Sequence, residues 1–444
     1  WVGDVKQSIY GWRGSEPEIF AQIESELPEV DVQNLDITWR SSPIIVDVVN
    51  DVFSTLTQNP VIIRGDNLPF WRRAAEAWVS RFSMHHTRRV EYPGYCCVVV
   101  RQKGGQSEED QSDGEDVTLA DPILVNWIGE VYQAPSKPTI GVLVRKNAAI
   151  DPIVAALRGA GFEVSQEGRN PVTTAVSVQL VLNVLRIADH PGDTAAAFRL
   201  GHSPLASLLG WEEFPRWDGP TRREKSLETS HRLRERLLDE GYGKVIREFA
   251  DAISEHTPRE EHLWLEKLVE LAHTYDEQRT LRADDFIRWL EHQQVADPQL
   301  TRIRVMTIHG AKGLQFDAVF LPDLDEPVGR RTGQLVFTRP APGKPIDWVF
   351  RGLNQELVKA NVFESDLVER YYAFQQRCVE EDFSLLYVAM TRAIHGLYIF
   401  VSPAGSGRSG PPKTLASIVW NGLRTEPPRT PGDILFEHGQ RDWF

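Results

Sequence analysis

Cysteine is scarce in this 444-residue chain: three residues, Cys96, Cys97 and Cys378. Neighbours on a strand point to opposite faces, so Cys96 and Cys97 are not expected to bond to each other. No Cys/His spacing of a metal site occurs, and a disulfide scaffold is excluded; a reducing cytoplasm is the expected compartment. No apolar run reaches the roughly eighteen residues that a membrane span needs, and no secretory leader is visible. An excess of positive charge is also missing. Lys and Arg number 49 against 63 Asp and Glu, for a net charge of −14. Bulk electrostatics therefore oppose nucleic-acid binding, and any such contact must come from a local groove. Finally, the pattern G-x-x-x-x-G-K-[ST] is absent, and with it the phosphate-cradling loop, its Lys and its Mg²⁺-holding hydroxyl. What remains is an ordinary globular composition, 41% hydrophobic and 25% charged, with length for two or three domains.

The most informative stretch runs from Val305 to Leu321, VMTIHGAKGLQFDAVFL. Strand-like runs at 303–308 and 316–321 flank a turn carrying His309, Gly310, Lys312, Gly313 and Gln315. Two buried-type strands joined by a Gly-rich, polar turn suit the edge of an α/β sheet that meets a phosphate-bearing ligand. Three other stretches carry chemistry. In GDVKQSIYGWRGS (3–15), Gln7 offers donor and acceptor for sensing a phosphate or water, and Tyr10, Trp12 and Arg13 can stack on unpaired bases. In TWRS (38–41), the Trp39 ring can hold adenine and Arg40 can contact phosphate oxygens, with Pro43 opening a helix behind a Ser41 or Ser42 cap. In LLYVAMTRA (385–393), Arg392 ends a long helix, placed to reach a γ-phosphate as an arginine finger does.

Taken in order, these four stretches resemble motifs III to VI of the UvrD/Rep family of superfamily-one DNA helicases, with most likeness to the AddA/RecB helicase-nuclease branch. The resemblance implies a γ-phosphate contact for Gln7, stacking on single-stranded DNA for Trp12, and an Arg13 near both sites with Tyr10 in support. It implies DNA contacts by Thr307, His309 and Lys312, and by an Arg-x-Asn pair, Arg145 and Asn147, where a strand meets a helix. Gly313 and Gln315 fall at the nucleotide; the family has Glu, bound to the ribose hydroxyl, where this chain has Gln315. Arg40 and Arg392 join Gln7 as the catalytic set, and Ser384 stands where the family often has a supporting Arg.

The remaining pattern gives the expected plan. Residues 1–27 end a first RecA-like domain and 28–170 begin a second. Residues 171–300 form an inserted all-helical domain, 301–402 complete the second RecA-like domain, and 403–444 are a linker with a C-terminal helix and polar tail. The acidic, anchor-free stretch 104–116 reads as a surface loop. The resemblance implies the C-terminal part of an ATP-dependent 3′-to-5′ DNA helicase acting in repair or recombination. Its ATP and Mg²⁺ would be held in the intact enzyme, the metal ligands outside this chain. Its partners would be single-stranded DNA, duplex junctions and a second helicase-nuclease subunit, with no membrane. Since the chain starts inside a motif at Trp1, it is expected to be a fragment that hydrolyses no ATP alone. The competing expectation is a non-catalytic subunit that binds DNA or a partner through a degenerate helicase fold.

Overall fold

The computed structural model describes residues 3–9, 36–63, 69–102, 121–166, 172–291, 293, 301–329, 335–339, 344–360, 362–404 and 411–444. The chain divides into two compact units, residues 1–164 with 301–444, and residues 165–300.

The first unit opens with a one-turn 3-10 helix, Val5–Gln7, capped by the Asp4 side chain on the Lys6 amide. Strand β1 (Ile37–Thr38) leads through Trp39 and Arg40 into α1 (Pro43–Ser54). Helix α2 (Pro69–Arg81) buries Phe70, Trp71, Ala74, Ala75 and Trp78, a stripe of helical period. Then come β2 (His86–Thr87), which pairs parallel with β1, and β3 (Tyr95–Val100). Helix α3 (Pro122–Tyr132), strand β4 (Ile140–Val144), helix α4 (Ile150–Gly159) and strand β5 (Val164–Gln166) follow.

After the second unit the chain continues with β6 (Ile303–Thr307) and β7 (Phe316–Leu321), and the antiparallel pair of β8 (Leu335–Thr338) and β9 (Trp348–Arg351). Among the described residues, a seven-stranded sheet has the order β11-β3-β10-β7-β4-β6-β5, where β10 is Ala393–Val401 and β11 is Ile434–Gly439. The pairs β3–β10, β10–β7, β7–β4 and β4–β6 are parallel. At the other edge of this sheet β11 runs antiparallel on β3. Parallel strands covered on both faces need unbroken apolar runs, as YCCVVV and IGVLV supply. Alternate residues enter different cores. Cys96, Val98 and Leu143 pack with α1 and α2, while Cys97, Val99 and Val142 pack with α3 and α4. The two adjacent cysteines thus lie on opposite faces, as the alternation predicts.

The long helix α12 spans Ser365–Met390, and α13 spans Leu415–Gly422. From Phe383 to Met390 every residue of α12 is buried. Strand β10 starts two residues after its last turn, so Thr391 and Arg392 form a tight helix-to-strand junction.

Between β5 and β6 the described elements of the second unit are helical: α5 (Val176–Asp189), α6 (Thr194–Gly201), α7 (Leu205–Leu209), α8 (Gly219–Asp239), α9 (Tyr242–Ser254), α10 (Arg259–Tyr275) and α11 (Ala283–Glu291), with short 3-10 turns. Helix α5 is apolar nearly all round, which fits its place at the centre of this unit's own core. Asp276 caps α9 through the amides of Tyr242 and Gly243 at 2.7 and 2.9 Å.

Two sequence expectations change. The polar tail contains β11, and Trp443 is buried with its indole N–H donating to the Tyr398 hydroxyl at 2.9 Å. Leu435 and Phe436 pack against the core while Glu437 and His438 stay exposed, so an edge strand forms in a tail that composition alone reads as polar. Nor does either serine cap α1 by its hydroxyl. Ser42 occupies the N-cap position without a side-chain bond, and the Ser41 hydroxyl donates to the Ala393 carbonyl at 2.6 Å instead. The acidic stretch 104–116 lies outside the described residues.

Candidate functional site

Four segments remote in sequence converge in the first unit. The β1 exit brings Arg40, whose Nη1 donates to the Thr391 carbonyl at 2.8 Å and whose Nε donates to Gln315 Oε1 at 3.2 Å. Gln315 closes the Gly-rich turn between β6 and β7, where Gly313 takes a left-handed φ of 90° that a side chain would strain. At the end of α12, Arg392 is only 1% exposed. Its guanidinium donates to the Val388 and Leu314 carbonyls and the Thr391 hydroxyl, at 3.0, 3.2 and 3.1 Å. The first 3-10 turn packs against α12 and brings Asp4 and Gln7, with Gln7 Nε2 donating to Asp4 Oδ2 at 2.8 Å.

The electrostatics follow from that convergence. Burial, then the charge of Arg40, pushes the Arg392 guanidinium down to about 10. Burial lowers Arg40 as well. Among the described residues neither guanidinium is hydrogen-bonded to a carboxylate; their acceptors there are carbonyls, one amide and one hydroxyl. Two like charges held close, with neutral acceptors among the described residues, favour an anion beside them. Tyr387 lies in the fields of both arginines and of Asp4, and burial holds its hydroxyl protonated well above its ordinary range. It is hydrogen-bonded to His85 Nε2 at 2.7 Å, and the His85 peptide is clamped on both sides by the Asn50 amide at 2.9 Å. Trp39, 66% exposed, stands beside this wall.

The other expected site residues are placed as follows. His309 Nε2 donates to the Ile9 carbonyl at 3.0 Å, tying the Gly-rich turn to the segment before Tyr10. Tyr10, Trp12 and Arg13 themselves lie outside the described residues. The Thr307 hydroxyl accepts from the Gly310 amide at 3.1 Å and shapes the turn, on which Lys312 is exposed. Asn147 is exposed at the start of a 3-10 turn after β4. Arg145 is committed elsewhere. It pairs with Asp382 of α12 at 2.8 Å, both side chains nearly buried, and donates to the Glu326 carbonyl at 3.2 Å. Asp382 accepts from the Gly329 amide too, at 2.7 Å. Of the Arg-x-Asn pair, Asn147 alone presents its side chain outward.

Sequence reasoning missed His85, Thr391, Asp4 and Asp382 as parts of these networks. Tyr387 and Thr391 sit inside LLYVAMTRA and could have been singled out; His85 and Asp382 carry no local signal. Among the described residues, no cluster of three or more His, Cys, Asp or Glu is arranged to hold a metal.

Known proteins match both ends of this arrangement. Residues 221–403 match the UvrD-like helicase C-terminal domain, and residues 1–28 match the UvrD/REP helicase N-terminal domain. Two segments of the chain are thus similar to UvrD-like helicase domains. Arg392, Gln315 and the Gly-rich turn fall within the first UvrD-like match and Gln7 within the second. The chain is similar to an ATP-dependent helicase/nuclease subunit of Leuconostoc mesenteroides, 24% identical over 467 residues that cover 92% of this chain and 36% of that protein. It is similar to the proteins of the same name from Lactococcus lactis, at 23% identity over 90% of this chain and 38% of that one, and from Streptococcus pneumoniae, at 22% over 90% and 37%. The chain thus spans little more than a third of the length of these relatives. No described helix is long and apolar enough to cross a membrane.

Proposed function

We propose that this chain supplies one wall of an ATP site and part of a single-stranded DNA track in an ATP-dependent DNA helicase of repair or recombination. The observation that carries the reading is the Arg40–Arg392 pair, two desolvated guanidinium groups brought near each other whose acceptors among the described residues are all neutral. A terminal phosphate is the anion such a pair fits, and charge that develops during phosphoryl transfer is what arginines of this kind stabilise. Gln7, Gly313 and Gln315 would line the same wall, with Trp39 beneath the base. Mg²⁺ would neutralise the phosphates, held by groups other than the residues described. Lys312, Asn147, Thr307 and His309 would follow the DNA backbone, with Tyr10, Trp12 and Arg13 at the bases. Arg145 would act indirectly, by fixing the turn that presents Asn147.

In this reading residues 28–170 and 301–402 form the second RecA-like domain, residues 171–300 are its inserted helical domain, and residues 1–27 end the first. Translocation would run 3′ to 5′, and a second helicase-nuclease subunit would be a partner. Arg40→Ala and Arg392→Ala in the intact protein test the assignment. Each is expected to lower DNA-stimulated ATP hydrolysis by about a thousandfold and to abolish unwinding, while the 444-residue chain alone hydrolyses no ATP. Unchanged unwinding by either variant would sink the assignment. Single-strand-stimulated turnover by the chain alone would overturn its expected dependence on an outside phosphate loop.

A further inference from the structure

Beside the arginine wall lies a group that neither the motifs nor the proposed mechanism uses. Arg89 follows β2, and the β1–β2 pairing sets its position closely. The His86 amide donates to the Asp36 carbonyl at 3.0 Å and the Arg88 amide to the Thr38 carbonyl at 3.0 Å. The Thr87 hydroxyl donates to the Ser41 carbonyl at 2.7 Å and accepts from the Arg89 amide at 3.0 Å. From this anchored turn Arg89 Nε donates to the Trp39 carbonyl at 3.1 Å. Its guanidinium carbon lies 5.9 Å from the centre of the Trp39 ring and 5.1 Å from that of Tyr92. Tyr92 in turn packs against His395, ring centres 4.9 Å apart, and His395 stacks on the buried Trp443 at 5.3 Å. Among the described residues Arg89 has no carboxylate partner.

Trp39 is two-thirds exposed, so burial fixes its ring only in small part. Here a cation bonds its backbone and lies against its ring, and a ladder of rings backs that cation down to the sheet. We infer that Arg89 is a positioning residue: it holds Trp39 as a rigid stacking platform for the base of a nucleotide whose phosphates meet Arg40 and Arg392. The inference rests on the nucleotide reading above. It adds that base recognition depends on a residue outside every motif. The physical gain is preorganisation, since a ring already fixed loses little freedom when a base stacks on it, and a cation–π contact is strongest where it is directional and partly shielded.

The test separates base from phosphate. Binding of MgATP and of inorganic tripolyphosphate to the intact protein, in the absence of DNA, is measured by calorimetry, for the wild type and for Arg89→Ala, Arg89→Lys and Trp39→Ala. Arg89→Ala is expected to weaken MgATP binding about fivefold with tripolyphosphate unchanged, and Arg89→Lys to recover part of the loss. Trp39→Ala should weaken MgATP on the order of tenfold, and adding Arg89→Ala to it should cost nothing further. Equal MgATP affinity in Arg89→Ala and wild type would overturn the inference. So would an equal loss for both probes, which would make Arg89 a phosphate ligand. Wild-type protein that binds tripolyphosphate and MgATP equally well has no base platform, which also overturns it while sparing the arginine site. Intact wild-type protein that binds neither probe sinks the nucleotide reading itself.

Discussion

At the scale of single residues, arginines divide by what they are bonded to. Among the described residues Arg40 and Arg392 meet neutral acceptors, and they lie in each other's field. Arg145 has spent its charge on Asp382 inside the protein. The consequence can be measured. Asp382→Ala leaves a nearly buried guanidinium unpaired and the Gly329 amide without its acceptor, which is expected to cost about 3–5 kcal/mol in urea unfolding. Asp382→Asn keeps an acceptor for Gly329 and should cost less. A loss under about 1 kcal/mol for the alanine variant would mean that solvent already screens the pair.

At the scale of elements, α12 and β11 matter most. Helix α12 carries Asp382 and Tyr387 and leads directly into Arg392, and so joins the turn after β4 to the arginine wall through one buried helical stretch. Strand β11 has a protective role. It covers β3, whose YCCVVV run is wholly buried and would otherwise be a flat apolar edge open to pairing with other chains. Tyr95 donates to Glu437 across this pair at 2.7 Å, and Arg441 lies over the Trp127 ring at 4.2 Å. Removing residues 433–444 is expected to convert a monodisperse chain into aggregates, read by light scattering after gel filtration. A truncated chain that stays monodisperse with an unchanged melting temperature would show that β3 needs no cover.

At the scale of the whole molecule, the two units have separate cores. Trp211, Phe249 and Phe286 are among the large side chains buried in the helical unit. Its buried acid Asp189 is met by the Arg234 and Arg282 side chains and by the Asp284 amide. Residues 165–300 expressed alone are therefore expected to fold to a helical monomer with one cooperative thermal transition, followed by circular dichroism. A non-cooperative melt would mean that this core depends on the rest of the chain.

Much of this was written locally. Apolar runs of four to six residues mark the parallel strands, and the 3.6-residue period marks α2, α5 and α10. The Gly-rich turn at 309–315 and the Thr391–Arg392 helix end are legible because a turn or a helix end is decided by its own few residues. The same local chemistry singled out Gln7, Trp39, Arg40 and Arg392. Partnership is a different matter. Arg40 meets Gln315 across 275 residues and Thr391 across 351, and Arg145 meets Asp382 across 237. An exposed and a neutralised arginine look the same in sequence, because the partner that decides between them is brought up only when the sheet closes. Likewise, ILFEHG becomes a strand because β3 offers it an open edge, and Arg89 gains its place because β2 pairs with β1. Sequence alone determined the elements and the residue types available for chemistry. The tertiary structure decided which charges were paired, because pairing is a property of distance in space.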